Sequence, residues 1–121
     1  MYSAAQAYQS VAKQTASPRD LEADLLLKAA SRLQSIQDRW ETEQTLLDEA
    51  LLYNRKLWLI FLTSATSNEN PLPSDVRQNV ANLGLFVMNQ TVSVMFDPKP
   101  ESHRPLISIN RELAAGLRTI R

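Results

Sequence analysis

Glycine is almost absent from this chain, and its scarcity limits the folds that the chain can adopt. Only Gly84 and Gly116 occur among its 121 residues. An all-β chain of this length would need many tight turns, which depend on glycine. Apolar residues instead recur every three or four positions, a spacing typical of helices with a buried face. The sequence therefore predicts an all-α fold, an antiparallel bundle of about four to five helices with a C-terminal docking segment.

Start signals place the first three predicted helices. The first covers about residues 4–14, where apolar and aromatic side chains share one side. The second covers residues 18–40, because Ser17 can cap its free N–H groups and Pro18 suits its first turn. The polar residues 41–44 then lead into a third helix. All three boundaries rest on local chemistry alone.

Proline clusters and polar residues mark the second half in the same way. Ser74 and Asp75 are expected to cap a fourth helix. Residues 97–105 contain three of the six prolines and predict a flexible linker. Residues 106–120 show helical spacing and form the predicted docking tail, although Asn110 could instead cap a shorter helix that starts one residue later.

The third and fourth helices each carry two apolar faces. On the third, the second face consists of Leu46, Tyr53, Leu57 and Ile60. On the fourth, it consists of Leu85, Met88, Val92, Met95 and Phe96. Ordinary central packing explains such helices, but together they carry more apolar surface than a small bundle easily covers. Either the tail, residues 106–120, or a helix from a partner protein could cover it.

Composition excludes several classes of partner. Lys plus Arg and Asp plus Glu each total 13, so no net positive field favours direct nucleic-acid binding. The longest purely apolar run, residues 57–62, is far short of the roughly 20 residues that span a bilayer. Residues 1–14 lack the pattern of a secretion signal, and there is no cysteine. We therefore expect a cytoplasmic protein without membrane insertion.

No constellation for catalysis, metal binding or cofactor binding can be assembled. The single histidine, His103, lies among prolines and is expected to be a solvated loop residue, which is unsuited to catalysis. The clustered carboxylates are expected to lie on solvated faces of the helices. Gly84 and Gly116 are isolated in helical patterns and indicate close contact between helices rather than a phosphate loop. We expect no cofactor, no metal and no enzymatic activity.

Four blocks of sequence, at residues 7–22, 50–58, 70–73 and 109–117, include the runs TASPRDLE, NRKLW, NPLP and INRELAAGL. In this order they resemble the flagellar biosynthesis regulator FlaF of alphaproteobacteria, and the resemblance covers nearly the whole chain. The first 30 or so residues also resemble the flagellin export chaperone FliS. The FlaF resemblance implies one helical domain over residues 1–121 that acts on flagellin, beside the flagellin translation regulator FlbT.

Together, the apolar faces and the resemblance predict a flagellin-binding secretion chaperone and assembly regulator. The FliS resemblance implies the mechanism, in which the apolar helices of unassembled flagellin are held until export. The alternative is a post-transcriptional regulator of flagellin expression that acts through FlbT. The predicted partner-binding residues are Leu83, Met88, Val92 and Met95 on the fourth helix, with Ile107, Ile109 and Arg111 on the tail.

Overall fold

The computed structural model describes residues 18–119, which form an all-helical bundle. The helices are α1 (Pro18–Asp38), α2 (Trp40–Glu43), α3 (Leu47–Ala65), α4 (Ser74–Phe96) and α5 (Arg104–Thr119), with a 3-10 turn (Gln44–Leu46) before α3. No strand occurs between residues 18 and 119, and the predicted all-α fold is confirmed. The predicted helix at residues 4–14, the Ser17 cap and Ile120 lie outside the described residues.

The four long helices run alternately up and down. At one end, the ring nitrogen Nε2 of His103 lies 2.9 Å from the carbonyl oxygen of Leu33. Towards the other end, the Arg118 guanidinium pairs with the Asp24 carboxylate, so α1 and α5 are antiparallel. α1 packs most extensively on α5, α3 contacts both α1 and α4, and α4 scarcely touches α5.

The core forms where the buried side of each helix faces the bundle axis. The side chains that are almost fully buried recur at three- and four-residue spacing, as the sequence pattern predicts. The largest of the apolar ones are Leu26 and Leu33 on α1, Leu51 and Trp58 on α3, Val87 and Val94 on α4, and Leu106 on α5. Burying each such side chain contributes about 1.5–3 kcal/mol, which stabilises the bundle against its chain entropy.

α1 ends two residues earlier than predicted. Arg39 leaves helical geometry with φ −119° and ψ 41°, and α2 starts at the next residue. The hydroxyl of Ser35 donates to Glu43 Oε2 at 2.9 Å across this bend. The polar stretch 41–44 is therefore helical rather than a plain connection, because its side chains bond back to α1.

The predicted cap of α4 is wrong in detail. Ser74 is already the first helical residue, and Pro73 occupies the cap position with φ −54° and ψ 148°, without a side-chain hydrogen bond. The turn before it is held by Arg77, whose Nη1 donates to the carbonyl oxygen of Ser67 at 2.7 Å. Proline fixes the extended entry by its own ring geometry, so no capping side chain is required.

The segment predicted as a flexible linker is a structured turn. Ser102 Oγ donates to the carbonyl oxygen of Lys99 at 2.9 Å and accepts from the Lys99 N–H at 3.1 Å. Gln90 Nε2 on α4 donates to the Ser102 carbonyl oxygen at 3.2 Å. α5 then begins at Arg104, and it continues without a break through Asn110, which is buried and caps nothing.

The two glycines differ in their surroundings. A Cβ added to Gly84 would lie 2.6 Å from Leu62 Cγ, so the predicted close contact between helices is confirmed there. A Cβ added to Gly116 would meet no atom of the described residues within 4 Å, and Gly116 is exposed. Close helix packing therefore explains the first glycine and not the second.

Candidate partner-binding surface

α4 presents two apolar faces, and only one of them is buried. The buried face consists of Val80, Gly84, Val87, Thr91 and Val94. The second face lies at the surface and consists of Leu85 (61% exposed), Val92 (51%), Met95 (38%) and Phe96 (86%), with Met88 half-buried beside them. An exposed stripe of large apolar side chains on one helix is typical of a binding surface.

α3 also exposes apolar side chains on its outer side. Leu52, Leu59 and Ile60 are 48%, 45% and 61% exposed. The second face expected from the sequence is divided, because Leu57 is buried and Tyr53 lies half-buried under the Arg32 guanidinium, whose carbon is 5.0 Å from the ring centroid. The exposed part of α3 is therefore narrower than the sequence pattern predicts.

The exposed stripes of α3 and α4 border the same seam between the two helices. The two helices meet where Leu62 approaches Gly84, and the cleft at the end of this hairpin is lined by residues of both sides, including Thr66 and Ala81. Positions seven apart lie on the same side of a helix. Leu59 therefore shares the side of Thr66, and Met88 shares the side of Ala81. Leu52 and Met95 lie a further seven residues along.

We name this region the seam surface. It consists of Leu52 and Leu59 from α3, and Leu85, Met88, Val92, Met95 and Phe96 from α4. Its α4 side carries no charge, because residues 78–96 contain no Asp, Glu, Lys or Arg. The outer face of a solvated helix normally carries charged side chains, whereas the centres of protein interfaces are depleted in them. The seam surface therefore has the composition of an interface.

The predicted binding residues of α4 do not all lie on the seam surface. Val92 and Met95 are exposed there, and Met88 lies half-buried at its inner border. Leu83 is half-buried against the core. It is nine positions from Val92, which places it on the opposite side of the helix. Leu85 and Phe96 belong to the seam surface, although they were not among the predicted binding residues.

The predicted binding residues of α5 are separate from the seam surface. Ile107 is only 2% exposed, and Ile109 is half-buried against the core. Arg111 is exposed on the outside of α5. Because α5 packs chiefly on α1 and scarcely on α4, the described part of the tail leaves the seam surface open. The sequence left two possibilities for covering the exposed apolar faces, the tail and a helix from a partner protein. The described part of the tail does not cover them.

A buried polar network explains why α5 is an integral part of the bundle. Trp58 Nε1 donates to Asn110 Oδ1 at 2.9 Å. Asn110 Nδ2 donates to Asn54 Oδ1 at 2.7 Å and to the carbonyl oxygen of Leu26 at 3.2 Å. All three polar side chains are fully buried. This network could not be detected from the sequence, since Asn110 stands at a position typical of a helix cap.

His103 is a core residue, and the expectation of a solvated loop histidine is wrong. Its ring is fully buried and stacks on Trp40 with 6.3 Å between the centroids. Its Nε2 carries a proton and donates it to the Leu33 carbonyl oxygen, because a carbonyl oxygen can only accept. Burial lowers the pKa of His103, an effect that this hydrogen bond partly offsets. No substrate can reach it in this position.

Between residues 18 and 119, no group of three or more His, Cys, Asp or Glu side chains is placed to hold a metal ion. The carboxyl pKa of Glu22 is raised by burial, against the lowering effect of Arg19, but no second carboxylate faces it in its cleft. In the same range, no helix combines the length and hydropathy required to cross a membrane.

Comparison with known proteins identifies the family. No curated protein and no solved structure matches the chain. The sequence model of the family described as "Flagellar protein FlaF" matches residues 4–117, which is nearly the whole chain. The resemblance seen in the four sequence blocks is thereby confirmed. The chain belongs to the FlaF family of flagellar proteins.

Proposed function

We propose that this flagellar protein is a flagellin-binding secretion chaperone and assembly regulator in the cytoplasm, with no enzymatic activity. Apolar helices of unassembled flagellin would lie on the seam surface until export, which prevents them from polymerising early. The observation that carries the proposal is the exposed, charge-free apolar side of α4. Membership of the FlaF family supports a flagellar partner.

The seam surface suits a helix as its ligand. Two antiparallel helices leave a shallow groove between them, and an amphipathic helix can lay its apolar face into such a groove. Met88 and Met95 border the groove, and their unbranched thioether side chains adapt to differently shaped ligands. Each large apolar side chain gains about 1.5–3 kcal/mol when fully buried. After the costs of association, affinity in the micromolar range is expected.

Calorimetry with purified protein and monomeric flagellin tests the proposal. The variant Val92→Gln/Phe96→Gln removes two exposed side chains of the seam surface. Phe86→Gln is its control, because Phe86 is 47% exposed on the same helix but lies on the other side of the buried face. Point variants are preferable to a deletion of residues 105–121, because the deletion would take the buried Leu106 and Asn110 out of the core.

We expect the wild type and the control to bind flagellin equally, and the double variant to lose at least tenfold in affinity. Equal binding by all three proteins would exclude the seam surface as the flagellin site. If the wild type neither releases heat nor co-elutes with flagellin, flagellin is not a direct partner. The same experiment with FlbT would then test the alternative, a regulator of flagellin expression that acts through FlbT.

A further inference from the structure

Two exposed basic residues of α3, Arg55 and Lys56, form a basic edge along the α3 side of the seam surface. A groove of about 490 Å³ is lined by Arg32, Glu49, Leu52, Tyr53, Arg55, Lys56 and Leu59. A second groove of about 550 Å³ adjoins it through Lys56 and Leu59 and continues to Ser67. Three cations and one carboxylate line the first groove, so its charge is positive although the whole chain is neutral.

Arg55 and Lys56 have no acidic partner within the described residues. The ion pairs of that part of the chain join Arg39 to Glu43, Lys99 to Asp97 and Arg118 to Asp24. Arg32 already lies over the Tyr53 ring. Residues 1–17 cannot supply a side-chain carboxylate, because they contain no Asp or Glu. Two exposed cations thus stand beside exposed Leu52 and Leu59, whereas the α4 side of the same surface is uncharged.

We infer that the occupant of the seam surface is an amphipathic helix whose apolar face is bordered on one flank by Asp or Glu side chains, which pair with Arg55 and Lys56. The uncharged α4 side would take the other, uncharged flank. This asymmetry fixes the rotation of the bound helix about its axis and selects among apolar helices, since charge complementarity contributes mainly to specificity and orientation. The inference rests on the proposed function only for the identity of the protein that supplies the bound helix.

A protein helix fits this edge better than a membrane surface. Binding to anionic lipid depends on clusters of about four to eight basic residues. Here only Arg55 and Lys56 are exposed cations, with Glu49 beside them, and the next exposed residues along α3 are uncharged as far as Ala65. Two cations beside an open groove match a few carboxylates at helical spacing.

Two synthetic helical peptides with the same apolar face test the inference, one flanked by Glu and the other by Lys. Their affinities for the full chain are measured by fluorescence anisotropy at low and high salt. Arg55→Glu/Lys56→Glu reverses the basic edge. Arg104→Glu/Arg111→Glu is the matched control, because it makes the same change in charge at two exposed positions on α5. Circular dichroism confirms that both variants fold.

We expect the Glu peptide to bind the wild type about tenfold more tightly than the Lys peptide at low salt, with a smaller difference at high salt. The preference should reverse in the α3 variant and persist in the α5 control. Equal affinities, a preference that survives in the α3 variant, or an equal loss in the control would each overturn the inference. So would binding to phosphatidylserine vesicles that depends on Arg55 and Lys56 without any peptide preference.

Flagellin is measured in parallel, so the two proposals can fail separately. A Glu preference without flagellin binding would retain the acidic-flanked helix as ligand and reject flagellin as its source. Flagellin binding that is weakened by Val92→Gln/Phe96→Gln but unchanged by Arg55→Glu/Lys56→Glu would retain the chaperone and reject the role of the basic edge.

Discussion

The indole of Trp58 on α3 donates a hydrogen bond to the side-chain amide of Asn110 on α5, with 2.9 Å between Nε1 and Oδ1. Both side chains are fully buried, which shields the bond from bulk solvent. The same amide reaches the Leu26 carbonyl oxygen on α1, so one asparagine connects three helices. Apolar packing tolerates small rotations, but these bonds specify a single position of α5.

Asn110→Leu should destabilise the bundle by about 2–3 kcal/mol. The leucine has the same branching as asparagine but is bulkier and cannot form hydrogen bonds, so it leaves the Trp58 N–H and Asn54 Oδ1 without a partner inside the core. Urea unfolding measures the change. Asn89→Leu, at an exposed position of α4, is the control and should stay within about 0.5 kcal/mol. Similar losses at both positions would show that the network contributes nothing specific.

Stability should fall in mild acid because of His103. Burial lowers the pKa of the folded imidazole below its ordinary value of 6.5, while the unfolded side chain keeps that value. The unfolded chain therefore binds a proton as the pH falls below 6.5, and the folded chain does not. The contribution to stability is complete above pH 6.5 and is lost progressively until the pH reaches the lowered pKa.

Unfolding of the wild type and of His103→Gln from pH about 8 to about 5 checks this expectation. Glutamine can still donate to the Leu33 carbonyl but does not titrate, so the loss in acid should be smaller in the variant. The raised pKa of Glu22 acts in the opposite direction at lower pH, and it is common to both proteins. Parallel pH curves would contradict a neutral, buried His103.

The two glycines should respond oppositely to the same substitution. Gly116→Ala should stabilise the protein by about 0.5–1 kcal/mol, because alanine lowers the entropy cost of folding a helix and meets open space there. Gly84→Ala gains the same amount but forces the Leu62 side chain to move, at a cost of about 1–3 kcal/mol. Thermal unfolding compares them, and equal effects would show that α3 and α4 are not closely packed at Gly84.

The helices could be predicted from the sequence because their signals are local. Pro18 and the turn before Ser74 lie beside the helix starts that they predict, and apolar spacing identified the buried face of each long helix. The predicted end of α1 was wrong because side chains form a hydrogen bond across the bend that follows it, as Ser35 and Glu43 do. The prediction that Ser74 caps α4 was wrong because Pro73 occupies the cap position, where its ring fixes the backbone.

The core roles of His103 and Asn110 could not be predicted, because their partners are distant in sequence. His103 bonds to a carbonyl 70 residues away, and Asn110 to one 84 residues away. The proline neighbours of His103 suggested a solvated loop, and the position of Asn110 suggested a helix cap. Tertiary packing instead buries both side chains. The exposed stripe of α4 was visible as a pattern, but only the packing of the helices showed that it shares a seam with Leu52 and Leu59.

Val92 and Val87 provide a test of which face of α4 holds the fold together. Both are valines in the interior of one helix, but Val92 is 51% exposed and Val87 is fully buried. Val92→Gln should change the free energy of unfolding by less than about 0.5 kcal/mol, whereas Val87→Gln should cost about 2–4 kcal/mol because it buries an amide among apolar neighbours. Chemical unfolding measures both. A large loss at Val92 would mean that the seam surface is part of the fold's own core, and a surface that the fold requires is not free to bind a partner.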